Sequence, residues 1–495
     1  MSSLEEVCLQ RGWDVTALQA CSRLAVHHEE VTAGSAYVAV PGKRFDGHTF
    51  LSEALSRGAN VVFYEPARFR PPEGSSVTWI AVQDARIVEP TLAAAFYGHP
   101  SRELRLTGIT GTNGKTTSSV LTAAVERALG HRVAVVNTLG VFDDAGTGPF
   151  ANALPSPATL QRFLRESRAN GHDSVVLECS SWALLSGRTR DCHFDRACLT
   201  ALTRDHLDVH PTMEAYARAK WTLVDQLALS DKQDVSLGVA HDFPSPDPIA
   251  DRVRTLSFGP HGSAADLQAD VLEMSPGGSI FQVLWRSRPI LRVRTSLPGM
   301  HNVLNILGVL GMYPDLVDAQ ARGIRTVLQA PLFEDIQVPG RLERIPHPGG
   351  VNVYVDYAHT PHALETVLQA LTDLHGSPIC VVFGCGGGRD RGKRPAMGAI
   401  AARYARDVFL TSDNPRNEDP ERIVLDIAHG IGSRSSRVVV NLDRREAIRR
   451  ALRAVRRGDV LLVAGKGHET EQVIADRVIP FDDRTVLREE ITRTA

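Results

Sequence analysis

Cysteine is scarce in this 495-residue chain. The seven residues, at positions 8, 21, 179, 192, 198, 380 and 385, are odd in number and contain no C-x-x-C pair. That pattern excludes a disulfide framework and a cysteine zinc site, and predicts reduced thiols in a cytoplasmic protein. Net charge is equally slight. With 55 Lys and Arg against 57 Asp and Glu, the formal charge of −2 gives no electrostatic reason to expect nucleic acid or an anionic membrane as partner. No apolar run approaches the length of a membrane span. The opening Met-Ser-Ser-Leu-Glu-Glu lacks the basic and apolar regions of a secretory signal, so none is expected. What is present is ample apolar material, 43% of residues, in a chain too long for one core. Three domains are expected, in a monomer acting on small molecules.

One stretch stands out. Gly108-Ile-Thr-Gly-Thr-Asn-Gly-Lys-Thr-Thr117 lies between an apolar run, Leu104 to Ile109, and a helical pattern from about Lys115 to Leu129. Strand, glycine-rich turn, Lys-Thr and helix form the layout of a phosphate-binding loop. Its backbone N–H groups turn onto phosphate oxygens, and the helix N-terminus adds positive potential. Gly111, Thr112, Asn113, Gly114, Lys115, Thr116 and Thr117 are therefore candidate nucleoside-triphosphate contacts. Lys115 would reach the terminal phosphates, and the Thr116 hydroxyl would ligate Mg²⁺. Five residues separate Gly108 from Gly114, one more than in the usual loop.

Around this loop the chain divides into blocks of residues 1–100, 101–335 and 336–495. The first is a small mixed unit with strands predicted at Ala36 to Val40 and Asn60 to Tyr64. In the second, strand candidates at Val133 to Asn137, Ser174 to Glu178 and Arg196 to Leu202 alternate with helical patterns such as Ala158 to Ala169. This α/β rhythm predicts a mostly parallel sheet covered on both faces. Residues 229–300 lose the rhythm and read as an antiparallel extension. The third block has strand candidates at Val351 to Asp356, Ile379 to Phe383, Asp407 to Thr411, Arg437 to Asn441 and Asp459 to Ala464, a second open α/β domain of Rossmann-like type. Asp356, Gly384-Cys-Gly-Gly-Gly388, Asp413-Asn-Pro-Arg416 and Gly465-Lys-Gly-His-Glu469 each follow one of these strands, on the rim where such sheets bind ligands.

The middle block carries its own polar strand ends. Glu178 is followed by Cys-Ser-Ser, Asp205-His-Leu-Asp208 follows another strand, and Lys220 falls on a helix beginning near Thr212. A carboxylate, an imidazole and a loop threonine are plausible ligands for Mg²⁺ bridging phosphate oxygens.

Taken in order, GTNGKTT (111–117), LECSS (177–181), TRDHLD (203–208), the Ala219-Lys220 pair, GMHNVLN (299–305), GRLE (340–343), VDYAHTP (355–361), FGCGGGRDRGKRPAMG (383–398), DNPR (413–416) and AGKGHE (464–469) resemble the Mur ligase family, MurE type. VAVPGKRFDGHTF and SEALSRGA resemble that family's first domain. The resemblance implies a three-domain fold: a UDP-substrate-binding-like domain, a central ATP-binding domain and an amino-acid-binding Rossmann-like domain. It also implies an ATP- and Mg²⁺-dependent ligase that adds meso-diaminopimelate to UDP-MurNAc-L-Ala-D-Glu through an acyl phosphate, for peptidoglycan synthesis. By the same resemblance Lys115, Glu178, His206 and Lys220 are catalytic, with Lys220 carboxylated so that its carbamate joins Thr116, Glu178 and His206 around Mg²⁺. Asn302, Arg341 and Asp356 would complete the ATP site. Asn152, Ser180 and Arg188 would meet the acceptor. Arg389, Asp413, Asn414, Pro415, Arg416, Gly465 and Glu469 would hold the amino acid. DNPR marks diaminopimelate users, and a guanidinium suits the distal carboxylate of that amino acid.

The departures concern the acceptor. His27-His28-Glu29 stands where the family has Asp-Ser-Arg, Asn152-Ala153-Leu154 where it has Asn-Thr-Thr, and Ser180-Ser181-Trp182 where it has Ser-Ser-His. Each lost hydrogen bond is worth about 0.5–1.5 kcal/mol. Two acceptors therefore remain open at this level: the muramoyl nucleotide, or a different carboxylate in a specialised pathway. Folylpolyglutamate synthetase shares the GTNGK loop but leaves DNPR and KGHE unexplained. A non-catalytic ATP-binding homologue leaves unexplained why Lys115, Glu178, His206 and Lys220 are all present.

Overall fold

The computed structural model describes residues 3–42, 45–143, 146–148, 154–207, 209–432 and 436–494. Short apolar runs in the first hundred residues pair in sequence order as four parallel strands, Arg23–Ala25, Ser35–Val38, Ala59–Tyr64 and Thr78–Ala81. Only the second and third were foreseen, because the outer two are short and half-polar. Apolar clusters lie on both faces of this sheet.

Among the described residues, eleven strands make the central sheet. The order from one edge is Arg288–Thr295, Gly278–Trp285, Leu267–Ser275, Val253–Pro260, Val235–Ala240, Arg196–Leu199, Arg105–Thr110, Ser174–Glu178, Val133–Asn137, Gly140–Asp143 and Gly146–Gly148. The seven from Leu267–Ser275 to Val133–Asn137 run parallel. The expected antiparallel extension over 229–300 is thus corrected: three of its strands prolong the parallel sheet, and only the last two are antiparallel. Its Gly, Pro and Asp residues mark turns, and turns alone do not fix strand direction. The expected strand Arg196 to Leu202 stops at Leu199, where the chain turns to brace the glycine loop.

The third sheet runs Glu343–Ile345, Asn352–Asp356, Val460–Ala464, Ile379–Phe383, Ala405–Leu410 and Arg437–Val440, with only the first strand antiparallel. Helices cover both faces over two apolar clusters. The first unit meets the second where the helix Ala85–Phe96 packs on Pro157–Ala169. There the Ala158 N–H donates to the buried carboxyl of Glu89 at 3.1 Å. Among the described residues no helix is long and apolar enough to cross a membrane.

Candidate active site

The glycine loop joins the buried strand Arg105–Thr110 to the helix Lys115–Ala128, whose N-terminus carries no side-chain cap. Its first amides are thus available to an anion. Two loop positions admit only glycine. At Gly111 a Cβ would sit 1.7 Å from the Thr200 hydroxyl; at Gly114, with φ of +86°, it would sit 2.2 Å from Asn305 Oδ1. Thr200 Oγ1 donates to the Asn113 carbonyl at 2.6 Å and the Thr112 N–H to the Ala201 carbonyl at 2.7 Å, so the neighbouring strand braces the loop.

Lys115 folds back onto that loop, donating to the carbonyls of Gly111 and Thr112 at 3.1 and 2.9 Å. Lys220, 1% exposed on the helix Met213–Ala228, donates to the same Gly111 carbonyl at 2.6 Å and lies over the Tyr216 ring. Two lysines on one carbonyl repel each other. Burial, reinforced by Lys115, holds the Lys220 amine well below its ordinary pKa. Burial lowers Lys115 as well, against the opposing pull of Glu178.

The Thr116 hydroxyl donates to Glu178 Oε2 at 2.8 Å, lies 3.0 Å from the Thr138 hydroxyl and accepts from Arg341 Nη2 at 3.0 Å. Thr138 also donates its backbone N–H to Glu178 at 3.2 Å. His206, with φ of +53° and a half-exposed side chain, pairs with Asp205 at 3.3 Å. Among the described residues no three His, Cys, Asp or Glu side chains converge into a metal cage. A hydroxyl, a carboxylate and open phosphate positions suit Mg²⁺, which keeps waters and substrate oxygens rather than a full protein shell.

Across the domain boundary Asp356 is buried, its oxygens accepting from the Leu342 and Ala358 amides at 2.6 and 2.7 Å; burial raises its pKa. Asn302 is buried beside Asn305, whose Nδ2 donates to it at 3.3 Å. Arg341 stacks on Tyr357, which also contacts the rings of His359 and His468. Burial lowers these two imidazoles to about 4 and about 3, keeping them neutral. The bond from Arg341 to Thr116 sets the start of the third domain against the glycine loop.

On the third-domain rim, Asn414 Nδ2 donates to Glu469 Oε2 at 2.9 Å, tying the DNPR loop to KGHE. Asp413 is buried and accepts from the Asn414 amide, while Gly465 passes so close that a Cβ there would lie 2.7 Å from Asp413 Oδ2. Pro415 presses its carbonyl against Gly387. The Arg416 guanidinium donates to the Gly387 and Asn414 carbonyls at 3.1 and 3.3 Å; burial, then Arg389, depresses its pKa. Arg389 is exposed at the same mouth.

Of the residues expected to meet the acceptor, Ser180 caps the helix Ser181–Leu185, and Arg188 donates to the Leu154 carbonyl. Asn152 lies outside the described residues. Sequence reasoning gave no role to Thr138, Tyr357, His468, Lys466 or the Arg394–Glu418 pair. All but Glu418 directly follow a strand or sit in a quoted motif, and the strand-end rule applied to Val133–Asn137 would have found Thr138. Arg394 is wholly buried and grips Glu418 through two bonds of 2.7 and 2.8 Å, joining the Gly384–Arg389 loop to the DNPR loop.

A phosphate loop, a strand-end carboxylate and a buried amine on one domain, faced by a polar rim on the next, define an ATP-dependent ligase fold. Family models for the Mur ligase middle domain and the Mur ligase glutamate ligase domain match residues 109–313 and 340–467. The chain belongs to the Mur ligase family. Within it, the chain is similar to UDP-N-acetylmuramoyl-L-alanyl-D-glutamate–2,6-diaminopimelate ligase of Geobacillus thermodenitrificans, 38% identical over 99% of this chain and 97% of that one. The protein of the same name from Geobacter metallireducens is 39% identical over 92% and 91%. A solved structure of a ligase of that name matches with TM-score 0.62 and 30% identity over 96% and 95% of the chains. The MurF ligase of Thermotoga maritima, solved with ADP, matches with TM-score 0.64 at 21% identity over 97% and 99%, a likeness of fold.

Proposed function

We propose that this chain is an ATP-dependent, ADP-forming ligase that joins meso-diaminopimelate to UDP-N-acetylmuramoyl-L-alanyl-D-glutamate in peptidoglycan synthesis, in the cytoplasm. The observation that carries the reading is the DNPR–KGHE rim, where Arg416, Arg389 and Glu469 offer two cations and an anion to an amino acid with a second zwitterionic head. The near full-length relatives of that name support it and favour it over a different carboxylate acceptor.

In this reading the loop amides of residues 111–117 and Lys115 hold the triphosphate, while Asn302, Arg341 and Asp356 hold the rest of the nucleotide. Mg²⁺, held through Thr116 and Glu178 with His206 at the open side, would neutralise charge on the transferring phosphoryl group. Lys220 has the burial that carboxylation needs, because only a neutral amine adds CO₂, giving a carbamate and releasing a proton. The carbamate would turn the Lys115–Lys220 repulsion into attraction. Lys115 and the loop amides then stabilise the phosphoryl oxygens while the acceptor carboxylate becomes an acyl phosphate. Ser180 and Arg188 orient that acceptor; Arg389, Asp413, Asn414, Arg416, Gly465 and Glu469 present the attacking amine.

Purified protein with ATP, Mg²⁺ and meso-diaminopimelate should release phosphate only when UDP-MurNAc-L-Ala-D-Glu is added, and should form the tripeptide nucleotide. Release that ignores the nucleotide, or silence beside intact binding of ATP and diaminopimelate, would point to another acceptor.

A further inference from the structure

Lys466 is wholly buried although it sits at the mouth of a polar rim. Its ammonium donates to Asn414 Oδ1 at 3.2 Å and to Glu469 Oε2 at 2.8 Å. Those are the side chains that already bond each other across the DNPR and KGHE loops. A second bond to Asn414 Oδ1 comes from the Val473 N–H at 2.9 Å, on the hairpin Glu471–Ile474/Arg477–Pro480. That hairpin in turn holds Arg416. The Arg416 N–H donates to the Val473 carbonyl at 3.0 Å, and the Ala475 N–H to the Arg416 carbonyl at 2.8 Å. Between those two bonds Arg416 keeps a φ of +51°, a region that a long side chain seldom adopts without support.

We propose that Lys466 is a positioning residue for amino-acid recognition. It locks Asn414 and Glu469 together and, through Asn414, the hairpin that sets the direction of Arg416. The inference rests on the reading of this rim as the amino-acid site. Burying an ammonium is costly unless it is paired, and a methionine would fill the same volume. The charge is therefore spent on orientation: Glu469 Oε2 is committed inward to Lys466 and Asn414, and Oε1 is the oxygen presented to a ligand ammonium. One cation thereby aims both the anion and, at one remove, the guanidinium that would read the distal head.

The test is steady-state kinetics of the full chain, with meso-diaminopimelate and ATP varied separately, on wild type, Lys466→Met and Lys466→Gln, beside thermal melts of each. The expected result for Lys466→Met is a KM for diaminopimelate raised about tenfold or more, with the KM for ATP within about twofold. Lys466→Gln, which keeps a donor, should recover part of that loss and remains the decisive variant if the methionine form does not fold. Equal changes in both KM values, or unchanged kinetics with only a lower melting temperature, would overturn the assignment. A wild-type chain without diaminopimelate-dependent turnover would instead overturn the functional reading, and this inference with it.

Discussion

In the proposed function, Lys220 concentrates the chemistry of the phosphate site in one side chain. Its amine has a carbonyl and an aromatic face as neighbours, and the cation of Lys115 nearby. Such surroundings suit neither a permanent ammonium nor an apolar filler. Lys220→Ala should therefore lower ligation by ~10²-fold or more, and short carboxylates such as formate should restore part of it. Full activity in that variant, measured as ADP release, would refute carboxylation. Much at this scale was legible. Lys115, Thr116, Glu178 and the DNPR tetrad follow apolar strands, so their place on a sheet rim could be read from the order of residues. The partners of those residues could not. Arg341 reaches Thr116 across 225 positions, and wholly buried Arg444 grips Asp483 from a different helix while donating to the carbonyls of Ser412 and Ala464 beneath the rim. No periodicity encodes pairs so distant.

Among the elements, the contact between Ala85–Phe96 and Pro157–Ala169 carries an ionisable group at its centre. Burial raises the Glu89 carboxyl to about 7, against the lowering effect of the Ala158 amide and Arg188. The folded state thus holds a proton that the unfolded chain has lost, and stability from this group declines as pH rises from about 4.5 towards 7. Glu89→Gln keeps the acceptor for Ala158 and removes the charge. It should stabilise the protein by up to about 3 kcal/mol at pH 8.5 and by little at pH 4.5. Melting temperatures of the two proteins that stay equally spaced at both pH values would refute this. Neither this contact nor the parallel direction of the strands Val235–Ala240, Val253–Pro260 and Leu267–Ser275 was legible. The region read as strands joined by Gly-, Pro- and Asp-rich turns, and such turns do not fix whether neighbouring strands run parallel.

In the whole molecule, the second and third domains meet at Arg341, which lies between Gly340 and Leu342, both with positive φ. A Cβ at Gly340 would sit 2.2 Å from the His468 amide, so the joint is threaded tightly through the KGHE loop. Arg341 couples this joint to the phosphate loop through Thr116. Arg341→Ala should raise the KM for ATP by about tenfold or more, with a smaller effect on the amino acid. Equal effects on both substrates would place its role in general stability. The contact of Thr200 with Gly111 reaches further, into the history open to this chain. Any side chain at position 111 would collide with the Thr200 hydroxyl, and trimming Thr200 first would free the Asn113 carbonyl that it holds. A change at either position alone therefore costs the clash or the hydrogen bond, and the two residues constrain each other. A larger residue at 111 is expected to be tolerated only beside a smaller one at 200, whatever happens to the substrates.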